Sequence, residues 1–501
     1  MMGAHRIVGG GVGLLVLTVA NMSLIGQEPA EPLYYGKTLT QWTQALRTGD
    51  SATRVAAART LGAIGPEAAP ATPALATALT DKDPTVRAAA ALALGRIGPK
   101  ARLAVPALVT ALRDKDKEVR AHAASALGEF GPAAKPVGAA LLPLLQDKDL
   151  RVRMEAAAAI LQIDPNVKNA FPVLIAALKD PDRDTRISAA AMLGRLGANA
   201  RPAVPALVAA LQDGDSQVRW WVTNALARIG VEAKSAVESV SAALKDPDPE
   251  VRFEAVGALG RLGDLKAAVP ALGQALQDDD PAIRLQAVKA VSRLASRGEE
   301  AVPLLVFALK DTDATVRREA LNSLGKLGDA PAIIDGMIDV LKNPRSDLRE
   351  QAARHLGRIG AKAKEAVPAL TAALSEKQAG LRVAAAEALW RITGQTTAAL
   401  PVLVAVAQDK ESAARVDAVA ALGELGAEAT AALPALLACA QERDGNLRRA
   451  ALEALGRMGP TAREAVPLLL QALKDRDQGI RNAAARALRH IDPEAASRLG
   501  L

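Results

Sequence analysis

The chain has 501 residues, of which half are hydrophobic and only 2% aromatic, and its 62 basic residues are nearly matched by 55 acidic ones, leaving a net charge of +7. An interior filled from Ala, Leu, Val and Ile suits short, closely packed helices rather than β-sheet, and so even a charge balance does not mark a nucleic-acid binder. The single cysteine, Cys439, excludes an internal disulfide, a CxxC pair and a cysteine-based zinc site, and the histidines His5, His122, His355 and His490 are too scattered for metal-ligand spacing.

At the start of the chain His5 and Arg6 precede an apolar run from Ile7 to Ala20, and a Glu/Pro-rich stretch from Glu28 to Pro32 follows. This order predicts a signal peptide or N-terminal anchor over residues 1–27, with Thr18-Val-Ala20 as a cleavage site, then a linker over 28–37. Export to the periplasm or the extracellular space is the expectation.

Beyond residue 38 one unit recurs. Segments such as DKDPTVRAAAALALGRIGP align on Arg54, Arg87, Arg120, Arg153, Arg186, Arg219, Arg252, Arg284, Arg317, Arg349, Arg382, Arg415, Arg448 and Arg481, and eleven of the thirteen intervals are 33 residues, the other two 32. A period of this size marks stacked helical hairpins, none of which can bury its apolar face alone. In residues 104–132, Val105, Leu108, Ala111 and Leu112 follow the helical period and predict a first helix of about three turns. Pro106 stands near its start, where a missing N–H breaks no intrahelical bond, and Pro73, Pro172, Pro205, Pro270, Pro303, Pro368, Pro401, Pro434 and Pro467 repeat it.

Asp116, four residues before Arg120, is placed to accept from the free N–H groups of a second helix. Asp50, Asp83, Asp149, Asp182, Asp215, Asp248, Asp280, Asp313, Asp444 and Asp477 repeat this cap, whereas Arg345, Gln378 and Glu411 replace it in three consecutive repeats, where less regular turns are expected. Val119, Ala123, Ala124, Leu127 and Phe130 form the buried stripe of the second helix, and Gly131-Pro132 stops it. Alanine stands three residues after every arginine except at Val222, which predicts close contact with a neighbouring helix. Tyr34, Tyr35 and Trp42 suit a cap on the first repeat, and Asp492-Pro493 predicts a short closing helix. The fold class read from these elements is all-α, an α-α superhelical solenoid of about fourteen helical hairpins over residues 38–501.

The helix-one proline, the D-x-D turn, the V-R opening of the second helix and its L-G-R-I-G ending resemble the HEAT-repeat superfamily, and within it the short HEAT-like repeats named after phycobilisome lyases. The likeness covers about residues 38 to 495. It implies a ladder between neighbouring repeats in which Asp81, Asp114, Asp147, Asp180, Asp213, Asp246, Asp278, Asp311, Asp409 and Asp475 pair with the arginines. Glu376 and Glu442 are variants of that pattern, and Thr48 and Asn343 depart from it in the first and tenth repeats. Such repeats serve scaffolds, transport adaptors and a few enzymes, so the resemblance speaks to fold more than to activity.

No G-x-S-x-G, no G-x-x-x-x-G-K and no histidine pair at helical spacing occurs, and the D-x-D turns lack the central glycine and bidentate glutamate of a calcium loop. No catalytic residue, metal ligand or cofactor is expected.

Two rows remain as partner-binding candidates. One residue after the arginine, at about 100° per residue and nearly opposite the buried stripe, the fourth to eighth repeats carry Met154, Ile187, Trp220, Phe253 and Leu285, with Trp221 adjoining. Nine residues after it stand Arg195, Arg228, Arg261, Arg293, Lys326, Arg358 and Arg391, where a cation also complements a helix C-terminus. The expected function is a non-enzymatic scaffold that binds a protein or peptide on its concave surface. Polyanion or nucleic-acid binding along the basic row, or a lyase-type HEAT-repeat enzyme, are the alternatives; the shortage of aromatics for base stacking speaks against nucleic acid.

Overall fold

The computed structural model describes residues 31–501, and the expected signal segment at 1–27 lies outside the described residues. Contacts divide the chain into two compact bodies, one ending at Asp264 and the other beginning at Leu265. The second helices of the N-terminal body are Ser51–Ile64, Pro84–Ile97, Lys117–Glu129, Leu150–Ile163, Arg183–Arg195, Ser216–Ile229 and Pro249–Leu262. Those of the C-terminal body are Pro281–Ala295, Ala314–Leu327, Arg349–Ile359, Ala379–Thr393, Arg415–Leu425, Gly445–Met458 and Gln478–Ile491. These helices number the repeats from first to fourteenth, and the fold is the expected all-α solenoid.

Most first helices are shorter than the periodicity predicts. Val105–Ala111 has 7 residues and is preceded by a 3-10 stretch, Gly98–Ala104. Two local features cut it short. Gly98, at φ 70° and ψ −150°, turns the chain through a conformation open to glycine alone, and the α-helix restarts only at the position where Pro106 can sit without losing a bond. In the fourth repeat Pro136 and Pro143 fall inside the same stretch, and Gly131–Gln146 is 3-10 throughout.

Every aspartate expected to cap a second helix does so, accepting from the N–H groups of the first turn. Where the cap is replaced, the tenth and twelfth second helices begin only at Arg349 and Arg415 themselves, and the eleventh begins at Ala379 with no side-chain cap. Part of the stretch read as a linker is structured: Leu33–Tyr34 and Lys37–Thr38 pair antiparallel around Tyr35 and Gly36, both at positive φ, as a type I′ hairpin requires. Trp42 Nε1 donates to the Tyr34 carbonyl at 2.7 Å, Tyr34 donates its hydroxyl proton to Glu67 at 2.8 Å, and Lys37 lies 4.7 Å from the Trp42 ring centre. The aromatics therefore close the first repeat, and Pro493–Arg498, capped by Asp492, follows the last.

The alanines three residues after the arginine are fully buried, but the closest approach of neighbouring second helices lies elsewhere. Gly62, Gly95, Gly128, Gly194, Gly357, Gly423 and Gly456, eight residues after the arginine, face Ala93, Ala126, Ala159, Ala225, Ala388, Ala454 and Ala487 of the next repeat. A Cβ on any of these glycines would lie 2.8–3.1 Å from the facing alanine Cα, tighter than nearly all real side-chain contacts. Glycine is thus set here by helix spacing rather than by the turn.

The ladder implied by the resemblance forms at most joints, between an arginine and the carboxylate 27 residues on. Arg54–Asp81 and Arg87–Asp114 close at 2.7 Å, Arg120–Asp147 at 2.8 Å, Arg186–Asp213 at 2.7 Å, Arg219–Asp246 at 2.6 Å and Arg284–Asp311 at 2.8 Å, and Arg448 pairs with Asp475. Each rung also ties down its own turn: Arg120 donates to the Asp114 and Lys115 carbonyls at 2.9 and 3.1 Å, and Asp147 accepts from the Asp149 N–H at 2.9 Å.

The interruptions fall where the sequence did not place them. Thr48 has no preceding arginine to serve, and Asp347 takes the place left by Asn343, pairing with Arg317 at 2.8 Å. The longer acids Glu376 and Glu442 meet Arg349 and Arg415 at 2.8 and 2.5 Å, the two arginines whose helices start late. Arg153 and Arg382, by contrast, have aspartates at the right spacing, Asp180 and Asp409, and bond only to carbonyls of their own turns. At both joints the second helices touch sparsely, and the position held by glycine at the close joints is Leu161 in one case and Trp390 in the other.

Candidate functional site

The carboxylates of the D-x-D turns serve the fold. Asp114 receives Arg87 and the Asp116 N–H, while Asp116 receives the N–H groups of Glu118 and Val119. These are capping and pairing groups. Cys439 is buried, its Sγ donates to the Ala407 carbonyl at 3.5 Å, and burial pushes its thiol pKa up, as befits an inert packing residue.

The apolar row is not one exposed strip. Met154 is only 3% exposed, and Ala88 and Ala121, at the same place in earlier repeats, are buried as well. This corrects the expectation for Met154. The position is thus covered in the second to fourth repeats and partly open from the fifth to the eighth. Phe253 emerges, at 36% exposed, whereas Ile187, Trp220 and Trp221 are half-buried, as is Leu285 in the C-terminal body. Trp220 and Trp221 stand edge to face, centroids 5.0 Å apart at 86°, above the fully buried Val222.

The basic row divides. In the C-terminal body Arg391 pairs with Glu387 and Glu424 at 2.7 and 2.6 Å, and Arg358 contacts the His355 ring. Burial first, and then the Arg358 charge, lower the His355 pKa to about 4. Arg293 also has a partner, and Lys326 is exposed. In the N-terminal body Arg228 donates its Nε–H to the carbonyl of Gly194, 3.1 Å away in the preceding second helix. That is a capping bond, though not to its own helix. Arg195 and Arg261 are exposed and make no hydrogen bond or ion pair among the described residues.

Sequence reasoning missed the carboxylates on this face. Glu155 and Glu254 sit two residues after their arginines, and burial pushes both pKa values up. Glu254 accepts from the Asn224 amide at 3.0 Å. In the C-terminal body Arg354 bridges Glu350 and Asp417 at 3.0 and 3.1 Å, reaching past the intervening second helix. Each of these residues fills a position that is alanine in other repeats, which was the available signal.

Among solved structures the chain is similar to Kap121p bound to Nup53p (TM-score 0.62, 16% identity) and to Kap121p bound to Ste12p (TM-score 0.60, 17% identity), covering 92% of this chain and 57% of each of those. The chain thus spans a little over half the length of those Kap121p chains, and the likeness at this identity is one of fold. No curated protein sequence matches it. The family model for HEAT repeats matches residues 39–108, 105–171, 171–239, 204–278, 269–335, 334–423 and 433–499. With nearly all of the repeat region matched, and with the Arg–Asp ladder and the Asp-capped second helices in place, the chain belongs to the HEAT-repeat family.

Proposed function

We propose that this protein is a non-enzymatic, exported scaffold that holds a protein or peptide partner against the second helices of its fifth to seventh repeats. The observation that carries the reading is the Trp220–Trp221 pair, half-buried and edge to face, with Phe253 exposed in the next repeat, in a chain with only 2% aromatic residues. Large aromatics concentrate interface energy, and a contiguous apolar patch on a soluble face marks contact with a partner. Kap121p is solved with Nup53p, with Ste12p and with RanGTP bound, so the fold is one on which proteins sit. Export rests on the signal pattern of residues 1–27.

Trp220→Ala tests the site. Partner capture from the envelope fraction should weaken by on the order of 2 kcal/mol while the melting temperature stays within a few degrees. A large fall in melting temperature with unchanged capture would assign Trp220 to the core. N-terminal sequencing tests export: the mature chain should begin within about residues 21 to 28.

A further inference from the structure

We infer that the partner segment is an extended, acidic peptide whose carboxylates meet Arg195, Arg228 and Arg261 while its apolar side chains lie on Ile187, Trp220, Trp221 and Phe253. This rests on the proposed partner face and adds the chemistry of what occupies it.

Three observations carry it. First, the three guanidinium groups are exposed on consecutive repeats, and Arg195 and Arg261 make no hydrogen bond or ion pair among the described residues, lying only near enough to Glu155 and Glu254 to favour the charged form of those carboxyls. A cation placed only to cap a helix would reach a carbonyl, as Arg228 does with one of its nitrogens, leaving its terminal amino groups free. The row closer to the chain end shows what an employed arginine looks like, since Arg391 is held by two carboxylates. Second, Glu129 and Gln162 fill the same place in the third and fourth repeats, so the basic run has a sharp edge on that side. Third, the spacing suits an extended chain. Neighbouring helices pack about 9 Å apart, and three residues of extended polyproline-type chain span about 9 Å, so one carboxylate at every third residue meets successive arginines. The two rows lie eight residues apart on each helix, about 12 Å along the axis, which leaves room for apolar side chains on one edge of the peptide and carboxylates on the other.

A nucleic acid fits less well. Glu155 and Glu254 stand on the same face as the arginines, and they repel a uniformly charged polyanion more than a segment with spaced charges. The edge-to-face tryptophans offer no pair of parallel platforms for bases.

The test uses the full mature chain and three synthetic peptides with phenylalanine at matched positions and glutamate, glutamine or lysine at every third residue, followed by tryptophan fluorescence, with heparin as a fourth probe. The glutamate peptide should bind at least about tenfold tighter than the glutamine one and lose that advantage at high salt. The double variant Arg195→Gln/Arg261→Gln, which touches no bond within the protein, should abolish the difference. Equal binding of all three peptides would overturn the acidic assignment and leave the partner face standing. No binding by any peptide, with the native partner still captured through Trp220, would overturn the assignment of an extended peptide. Heparin binding as tight as the glutamate peptide and equally sensitive to the double variant would replace it with a polyanion site.

Discussion

Two neighbouring joints of the N-terminal body are built from the same repeat and behave differently. Between the fifth and sixth repeats Gly194 faces Ala225, the second helices pack closely, and Arg186 meets Asp213 at 2.7 Å. Between the fourth and fifth, Leu161 and Met192 stand at the equivalent positions, the helices touch sparsely, and Arg153 and Asp180 stay apart although both are present. The ladder therefore follows helix spacing rather than setting it. Forcing methylenes into a packed contact costs about 1–3 kcal/mol, and a partly exposed ion pair contributes about 1 kcal/mol at most, so the side chains at the close-approach position win.

The sharpest way to break this comparison is to convert the first joint into the second. Gly194→Leu should destabilise the protein by about 3 kcal/mol, because the Cβ alone would meet Ala225 and the rest must displace a helix. Denaturant unfolding reads the loss, and hydrogen exchange should show protection falling in the fifth and sixth repeats. If Gly194→Leu were tolerated within about 0.5 kcal/mol, spacing would not be what selects glycine here.

Removing a rung should cost less. Arg120 and Asp147 keep side-chain exposures of only 9% and 12%, and Arg120→Ala strands the Asp147 carboxylate and the turn carbonyls. About 2 kcal/mol is expected, below the range for fully buried pairs because water still reaches the edge of this one. Arg153→Ala, at the splayed joint, should cost less than about 1 kcal/mol, since only the bonds to its own turn are lost. Equal costs at the two sites would mean that the turn bonds, and not the rung, carry the energy.

Acid should find the same rung. The bond from Arg120 holds the Asp147 carboxyl below its ordinary 3.8, so the unfolded chain takes up the proton more readily than the folded one. The contribution is complete above the unfolded value and is lost as pH falls through 3.8 toward the lower folded value. Asp147→Asn should lower the melting temperature near neutral pH and flatten its fall below about pH 4. A variant that kept the steep acid limb of the parent would show that other carboxylates account for it. Asp83 belongs with these, its pKa lowered to about 2 by the hydroxyls of Ser51 and Thr85.

Repeat length, helix order, caps and ladder residues were legible because one structural demand is answered again and again in the sequence. What was not legible depends on pairs of positions in different repeats. Asp180 and Asp409 match the pattern as well as Asp147 does, and their rungs stay open at the joints where Leu161 and Trp390 replace the close-approach glycine. Met154 was misplaced for a similar reason. The angle of Met154 around its own helix says nothing of the neighbouring helix that covers it. The basic row divides between Arg228, which donates to a carbonyl of the preceding second helix, and Arg195 and Arg261, which make no hydrogen bond or ion pair among the described residues.

That division yields the smallest effect and the most discriminating one. Arg228 and Arg261 occupy equivalent places on neighbouring second helices, but only Arg228 donates to the Gly194 carbonyl, at 3.1 Å. Arg228→Ala leaves that carbonyl to water at the end of a helix, which should cost about 0.5–1 kcal/mol. Arg261→Ala breaks no hydrogen bond or ion pair among the described residues and should fall within about 0.5 kcal/mol of the parent. It also removes a positive charge beside Glu254, whose half-buried carboxyl is already pushed up by burial, so its pKa should rise further. Stability then separates the two arginines, while binding of an acidic partner should weaken for both. If Arg261→Ala proved the more destabilising, the guanidinium would be engaged within the fold, and the row would be structural from end to end.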